Sequence, residues 1–183
     1  MSIDPEVRTT PLRHVSRHLQ QTVSLHLKQA LTDLGWLDEV TLFGSPGFTV
    51  QLGRMPEKKR NEVEPNLIAI TFGDEPPEEE QELGGGLTLL RTQVGVDVVP
   101  DTDALGIAVC SDVRDVLSGR LDPIAWPRVL RLRDYSTSSQ GIPQDDHLIE
   151  FTDVQRRRTD NAEGRLHWQQ VVADIELTMP GFG

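Results

Sequence analysis

His14 and His18 stand four residues apart, the spacing that places two imidazoles on one face of a helix. Two ligands do not close a zinc site, and neither histidine is followed by the glutamate of a helical metalloprotease motif. The pair falls opposite the apolar stripe of its segment and is expected on a solvated face, whereas His26, at the stripe's edge, is expected to pack. Gly84-Gly85-Gly86 follows an acidic run and opens a strand. A phosphate loop follows a strand and opens a helix with a Lys and a Ser or Thr behind it, so this run reads as a hinge. Gly44-Ser45-Pro46-Gly47 lacks the spacing of a nucleophile elbow, and no helix follows it. Asp74, Glu75, Glu78, Glu79, Glu80 and Glu82 could hold a hard cation, but they form no alternating ligand series around a central glycine. They read as a solvated or interaction segment. Cys110 is the single cysteine and is expected as a buried filler. Asp145, Asp146 and His147 adjoin one another with no nucleophile beside them in sequence. No catalytic constellation emerges, and no cofactor or metal is expected.

The elements that would position these groups follow from apolar periodicity. Residues 11–35 carry Leu12, Val15, Leu19, Val23, Ala30 and Leu34 on one stripe, with Thr9 or Thr10 as cap, Pro11 in the first turn and Gly35 as the stop. Val40 and Leu42, then Phe48, Val50 and Leu52, alternate around the Gly44–Gly47 turn and read as two short strands. Residues 54–66 are polar, with Lys58-Lys59-Arg60, and read as a loop. Leu67–Phe72 is apolar on both faces, as in a covered strand, and Leu87–Val99 is a long strand with Leu90, Val94, Val96 and Val98 on one side. Between them, residues 74–86 hold six acids, two prolines and three glycines, which predicts an extended hairpin with an acidic insertion projecting at its tip. A second helix starts at Pro100-Asp101-Thr102-Asp103, buries Leu105, Val109, Val113 and Val116, and ends at Gly119. Arg128–Tyr135, Leu148–Val154 and Leu166–Met179 read as strands, separated by a loop at 136–146 and a charged turn at 155–164. The last strand switches apolar parity between Trp168 and Val171, which predicts a bulge near Gln169-Gln170.

The order of elements lacks the strand–helix alternation of a parallel doubly wound sheet. It predicts an α+β fold: an antiparallel or mixed sheet with two helices packed on one face, in one domain spanning 1–183. At 183 residues the chain is long enough for a core without staples. With 18 Lys plus Arg against 29 Asp plus Glu, its formal charge is -11, which opposes tight binding to nucleic acid. The lone cysteine allows no internal disulfide, no segment is apolar enough to span a membrane, and the N-terminal residues carry no apolar leader core.

What the core does not absorb is surface. Ala104, Ile107, Ala108 and Ser111 lie off the core stripe of the second helix and form a second face of small residues around one isoleucine. The chain resembles the tail terminator proteins of long-tailed bacteriophages in its order of elements and in three stretches. These are the opening helix ending Leu31-Thr32-Asp33-Leu34-Gly35, the run from Asp103-Ala104-Leu105-Gly106-Ile107-Ala108 into Asp112–Gly119, and the closing strand with Trp168 and Val171-Val172-Ala173-Asp174-Ile175. The resemblance implies a non-enzymatic virion protein at the junction of tail and neck, assembled in the host cytoplasm. It implies a six-membered ring of this chain that caps the tail tube, stops its growth and offers a docking surface to head-closure or other neck proteins. The face Ala104, Ile107, Ala108 and Ser111 would then be a subunit contact. Asp74, Glu75, Glu78, Glu79, Glu80 and Glu82, with Arg156, Arg157 and Arg158, would meet the tube, the neck or the lumen. DNA would pass through without tight binding, since a negative bore repels phosphate. The alternative readings are another neck component, such as a head-closure or adaptor protein, or a small metal-dependent hydrolase using the acidic segment with His147.

Overall fold

The computed structural model describes residues 12–53, 66–73, 79–83, 86–160 and 167–180, with backbone alone at 12–14, 79–83, 158–160 and 167–168. Helix α1 spans Leu12–Asp33, and strand β1, Thr49–Leu52, follows. Strands β2 (Leu67–Phe72), β3 (Glu79–Leu83) and β4 (Leu87–Val99) precede helix α2 (Asp103–Leu117), and β5 (Val129–Asp134), β6 (Ile142–Asp160) and β7 (His167–Pro180) complete the chain. Among the described residues the seven strands form one sheet in the order β1-β2-β4-β7-β6-β5, with β3 pairing β4 beyond the end of β2. Only the β1–β2 pair is parallel, so the sheet is mixed. The α+β architecture is as the element order implies.

Both helices contribute to one core on one side of the sheet. Val15, Leu19, Val23, Leu27 and Leu31 of α1 join Leu105, Val109, Cys110, Val113 and Leu117 of α2 in a single buried cluster. Alternate residues of β4 (Val94, Val96, Val98) and β7 (Val171, Ala173, Ile175, Leu177, Met179) meet them. Burying one such aliphatic side chain stabilises by roughly 1.5–3 kcal/mol. Helix α1 ends as expected at Gly35, whose φ of 79° suits a residue without a Cβ. At the start of α2 the Leu105 N–H donates to the Thr102 hydroxyl, and at its end the Ser118 N–H donates to the Arg114 carbonyl.

Several boundaries differ from the sequence expectation. Val40 and Leu42 do not form a strand: Val40 makes a single antiparallel bridge to Pro46, and the segment is a closed turn. The acidic insertion is not loop throughout. Residues 79–83 pair with β4 (Glu79 opposite Arg91, Leu83 opposite Leu87), so β2, β3 and β4 are limbs of one long hairpin; 74–78 and 84–85 lie outside the described residues, as do 54–65. The expected loop at 136–146 is shortened because β6 starts at Ile142, and the expected turn at 155–164 is strand as far as Asp160. The bulge is on β6 rather than β7. Asp153 and Val154 stand opposite Ala173 alone, and Asp153 has a φ of 48°. Gln169 keeps strand parity by turning inward, where it is buried and hydrogen-bonded.

Candidate functional site

The small-residue face of α2 stands where the helix period puts it. Ala104 is exposed, Ile107 is 44% exposed, and Ala108 and Ser111 are half-buried. The buried stripe behind them includes Gly106. A Cβ there would come 2.7 Å from the Pro100 ring and 3.0 Å from Gln169 Nε2, so its hydrogen lets α2 sit close against the sheet. Gln169 holds that junction, donating to the Asp103 carbonyl at 3.4 Å and accepting from Arg156 at 2.8 Å.

This bond splits the arginine run 156–158. Neighbouring residues of a strand face opposite sides. Arg156 is tied to Gln169 on the helix side, while Arg157 is opposite Gln170, whose Nε2 donates to Asp97 at 2.8 Å. Burial raises the Asp97 pKa, opposed by that hydrogen bond. The Arg158 side chain lies outside the described residues, as do Asp74, Glu75 and Glu78 and the side chains of Glu79, Glu80 and Glu82 on β3. The expected contact residues are therefore not gathered into one patch among the described side chains.

His18, His26 and Cys110 are each packed into the fold. His18 is not on a solvated face, as its spacing with His14 suggested; only 16% of its side chain is exposed. Its Nδ1 accepts the Tyr135 N–H at 3.2 Å, which leaves the proton on Nε2, 3.6 Å from Asp134 Oδ1. Two hydrogen bonds from Ser136, side chain then backbone, hold the Asp134 carboxyl below its ordinary range. The His14 side chain lies outside the described residues. His26 packs face to face with Phe151, its Nε2 buried without a hydrogen-bond partner among the described residues, and burial lowers its pKa to about 4. Cys110 is fully buried, and its thiol is pushed up to about 12 chiefly by desolvation, so the reactive thiolate is scarce at neutral pH. Asp145, Asp146 and His147 sit on an excursion of β6, where residues 144–147 face Leu132 alone. Asp145 pairs with Arg131 at 3.0 Å, and His147 Nδ1 lies 2.7 Å from Asp146 Oδ1. Among the described residues no group of three metal-ligating side chains gathers.

Two surface knuckles escaped the sequence reading. The first is the turn after α1, where Leu42 is 96% exposed and Phe43 is also exposed. The turn is closed by the Thr41 N–H to the Ser45 carbonyl, the Gly44 N–H to the Thr41 carbonyl, and the Thr41–Ser45 hydroxyl pair at 2.8 Å. Asn66, buried and at a φ of 64°, clamps it by donating to the Pro46 carbonyl and accepting the Asp101 N–H. Phe43 stacks on Trp36 at 5.6 Å, and the Trp36 indole N–H donates to Asp112 on α2 at 2.8 Å. Partial burial raises the Asp112 pKa, opposed by that indole bond.

The second knuckle follows α2. Asp122 accepts the N–H groups of Ile124 and Ala125 and so fixes a turn on which Ile124 is 93% exposed. Beside it a cavity of about 270 Å³ is lined by Arg114, Ser118, Arg120, Arg128 and the β6 bulge. Arg114 pairs with Asp115 and Arg128 with Glu150, whereas Arg120 has no ion-pair partner among the described residues. In sequence, the cue to both knuckles is a large apolar residue inside a short turn built of Gly, Pro, Ser, Asp or Thr. Alternation with Val40 disguised the first as a strand. Neither a protein-family model nor a curated protein matches this sequence.

Proposed function

We propose that this chain is a structural phage tail terminator: a subunit of a ring, six-membered by the resemblance, that caps the tail tube and presents a docking surface to neck proteins. It would act without catalysis. The observation that carries the reading is the outer face of α2, where Ala104 and Ile107 are exposed beside the half-buried Ala108 and Ser111. Small residues admit close approach of another backbone, and a ring requires a heterologous contact in which one patch meets a different patch of the neighbour. The formal charge of -11 suits a channel through which DNA must slide. The tail tube protein and a head-closure protein are the partners this reading requires.

The test is the assembly state of the full chain, by mass photometry across concentration and by negative-stain microscopy with isolated tail tubes. Rings that seat on tube ends are expected, and Ile107→Glu is expected to raise the assembly midpoint roughly tenfold or more without lowering the melting temperature. A chain that stays monomeric at every concentration and ignores tubes would refute the reading. Rings that bind only the head vertex would make it a head-closure or adaptor protein instead.

A further inference from the structure

A cleft of about 490 Å³ opens between α1 and the end of the β1–β2 pair. Its volume falls in the roughly 300–1,000 Å³ range of sites that enclose a ligand. Leu25 of α1 and Leu52 of β1 line it and are both exposed, and Ile70 and Phe72 line it from β2. Arg17 and Ser24 add polar groups from α1, and Arg17 has no ion-pair partner among the described residues.

Strand β1 stops short of β2 here. The pair ends at Leu52 opposite Ile70, with the Gly53 N–H donating to the Ile70 carbonyl, while β2 runs on through Thr71 and Phe72. The partners of these two residues, Gly95 and Val94, are on β4, the other side. Backbone groups alternate sides along a strand, so the Phe72 N–H and C=O turn the same way as the Ile70 carbonyl, away from β4. Among the described residues no strand pairs with them there.

We propose that this cleft binds the C-terminal segment of a partner protein in extended conformation. The peptide pairs along β2 beyond the end of β1, sets its last apolar side chain among Leu25, Leu52 and Phe72, and places its carboxylate against Arg17. Main-chain pairing to an open edge supplies affinity, and the pocket beside it selects the side chain. Charge complementarity to Arg17 calls for an anion. A chain end carries its carboxylate on the same residue as the apolar side chain, whereas an acid on the next residue of an extended segment points to the opposite face. The proposal needs only one copy of this chain, so it stands or falls apart from the ring reading.

The experiment presents the full chain with two fluorescein-labelled hexapeptide pools, each ending in Val, Leu or Phe. One pool has a free C-terminal carboxyl and the other is amidated; binding is read by anisotropy and by amide chemical shifts. The free-acid pool is expected to saturate and to shift the Gly53, Thr71 and Phe72 amides, and the amidated pool to bind roughly tenfold more weakly. Arg17→Gln should remove that preference, and Leu25→Asp should weaken binding of both pools roughly tenfold or more. Both residues are exposed, so both variants should keep the wild-type melting temperature. Ile124→Ser, outside the cleft, should bind like the wild type. No binding, equal binding of the two pools, or shifts confined to other surfaces would overturn the proposal. Binding that appears only after residues 54–65 are replaced by a Gly-Ser linker would overturn it too, because the segment that leaves the cleft wall at Gly53 would then be the occupant.

Discussion

A neutral, half-buried histidine packed against Phe151 makes stability depend on pH. His26 titrates near its ordinary 6.5 when the chain is unfolded and at about 4 when folded, because burial disfavours its charged form. Between those values the unfolded chain holds more protons, so stability from this residue is lost as pH falls from about 6.5 towards about 4. The loss between pH 7 and pH 5 should be about 2 kcal/mol. Asp97 and Asp112 act in the opposite sense: burial raises both, so their protonation on the acid side favours the folded chain. Urea midpoints of the wild type and His26→Phe at the two pH values separate the contributions. A variant that keeps the full wild-type loss would show that another group carries it. The histidine's packing was legible from its place beside the stripe; the identity of its ring partner, on β6, was not.

At the scale of elements, side chains of α1 cap the C-terminal end of β5, an edge strand of the sheet. The Arg133 N–H donates to Thr22 Oγ1 at 3.1 Å, and the Tyr135 N–H donates to His18 Nδ1 at 3.2 Å. An uncovered edge strand is a template for aggregation, and these two bonds satisfy donors that β6 does not reach. Thr22→Val leaves the Arg133 amide without its acceptor and should cost about 1–3 kcal/mol. Amide exchange at Arg133 should quicken, with Val129 and Leu130 changing less. Unchanged protection at Arg133 would mean water substitutes freely for the threonine. Helix boundaries were legible because caps and a left-handed glycine are local signals; β6 was not, because Pro143 and the 144–147 excursion imitate a loop.

At the scale of the molecule, charge opposes nucleic acid. The -11 balance is spread over a chain whose Arg156 is already bonded to Gln169 and whose Arg114 and Arg128 are paired with acids. Duplex DNA should show no measurable binding at about 150 mM salt in anisotropy titrations. Tight binding with a steep salt slope would contradict the proposed passage of DNA through an acidic bore.

The sequence by itself determined the class of fold, both helices, the core faces of β4 and the buried state of Cys110. Each rests on periodicity or capping, which depend on residues a few positions apart. The tertiary structure decided what depends on partners distant in sequence. It turned Gln169 inward, where Arg156 and the Asp103 carbonyl satisfy its amide, and so moved the bulge from β7 to Asp153 on β6. It took His18 from an apparently solvated face into the β5 edge, because Tyr135 offers an N–H there. It also set Leu42 and Ile124 in water on clamped turns. Outside a periodic stripe an apolar residue carries no sign of its exposure, and only the closed turns around these two show that folding leaves them outside.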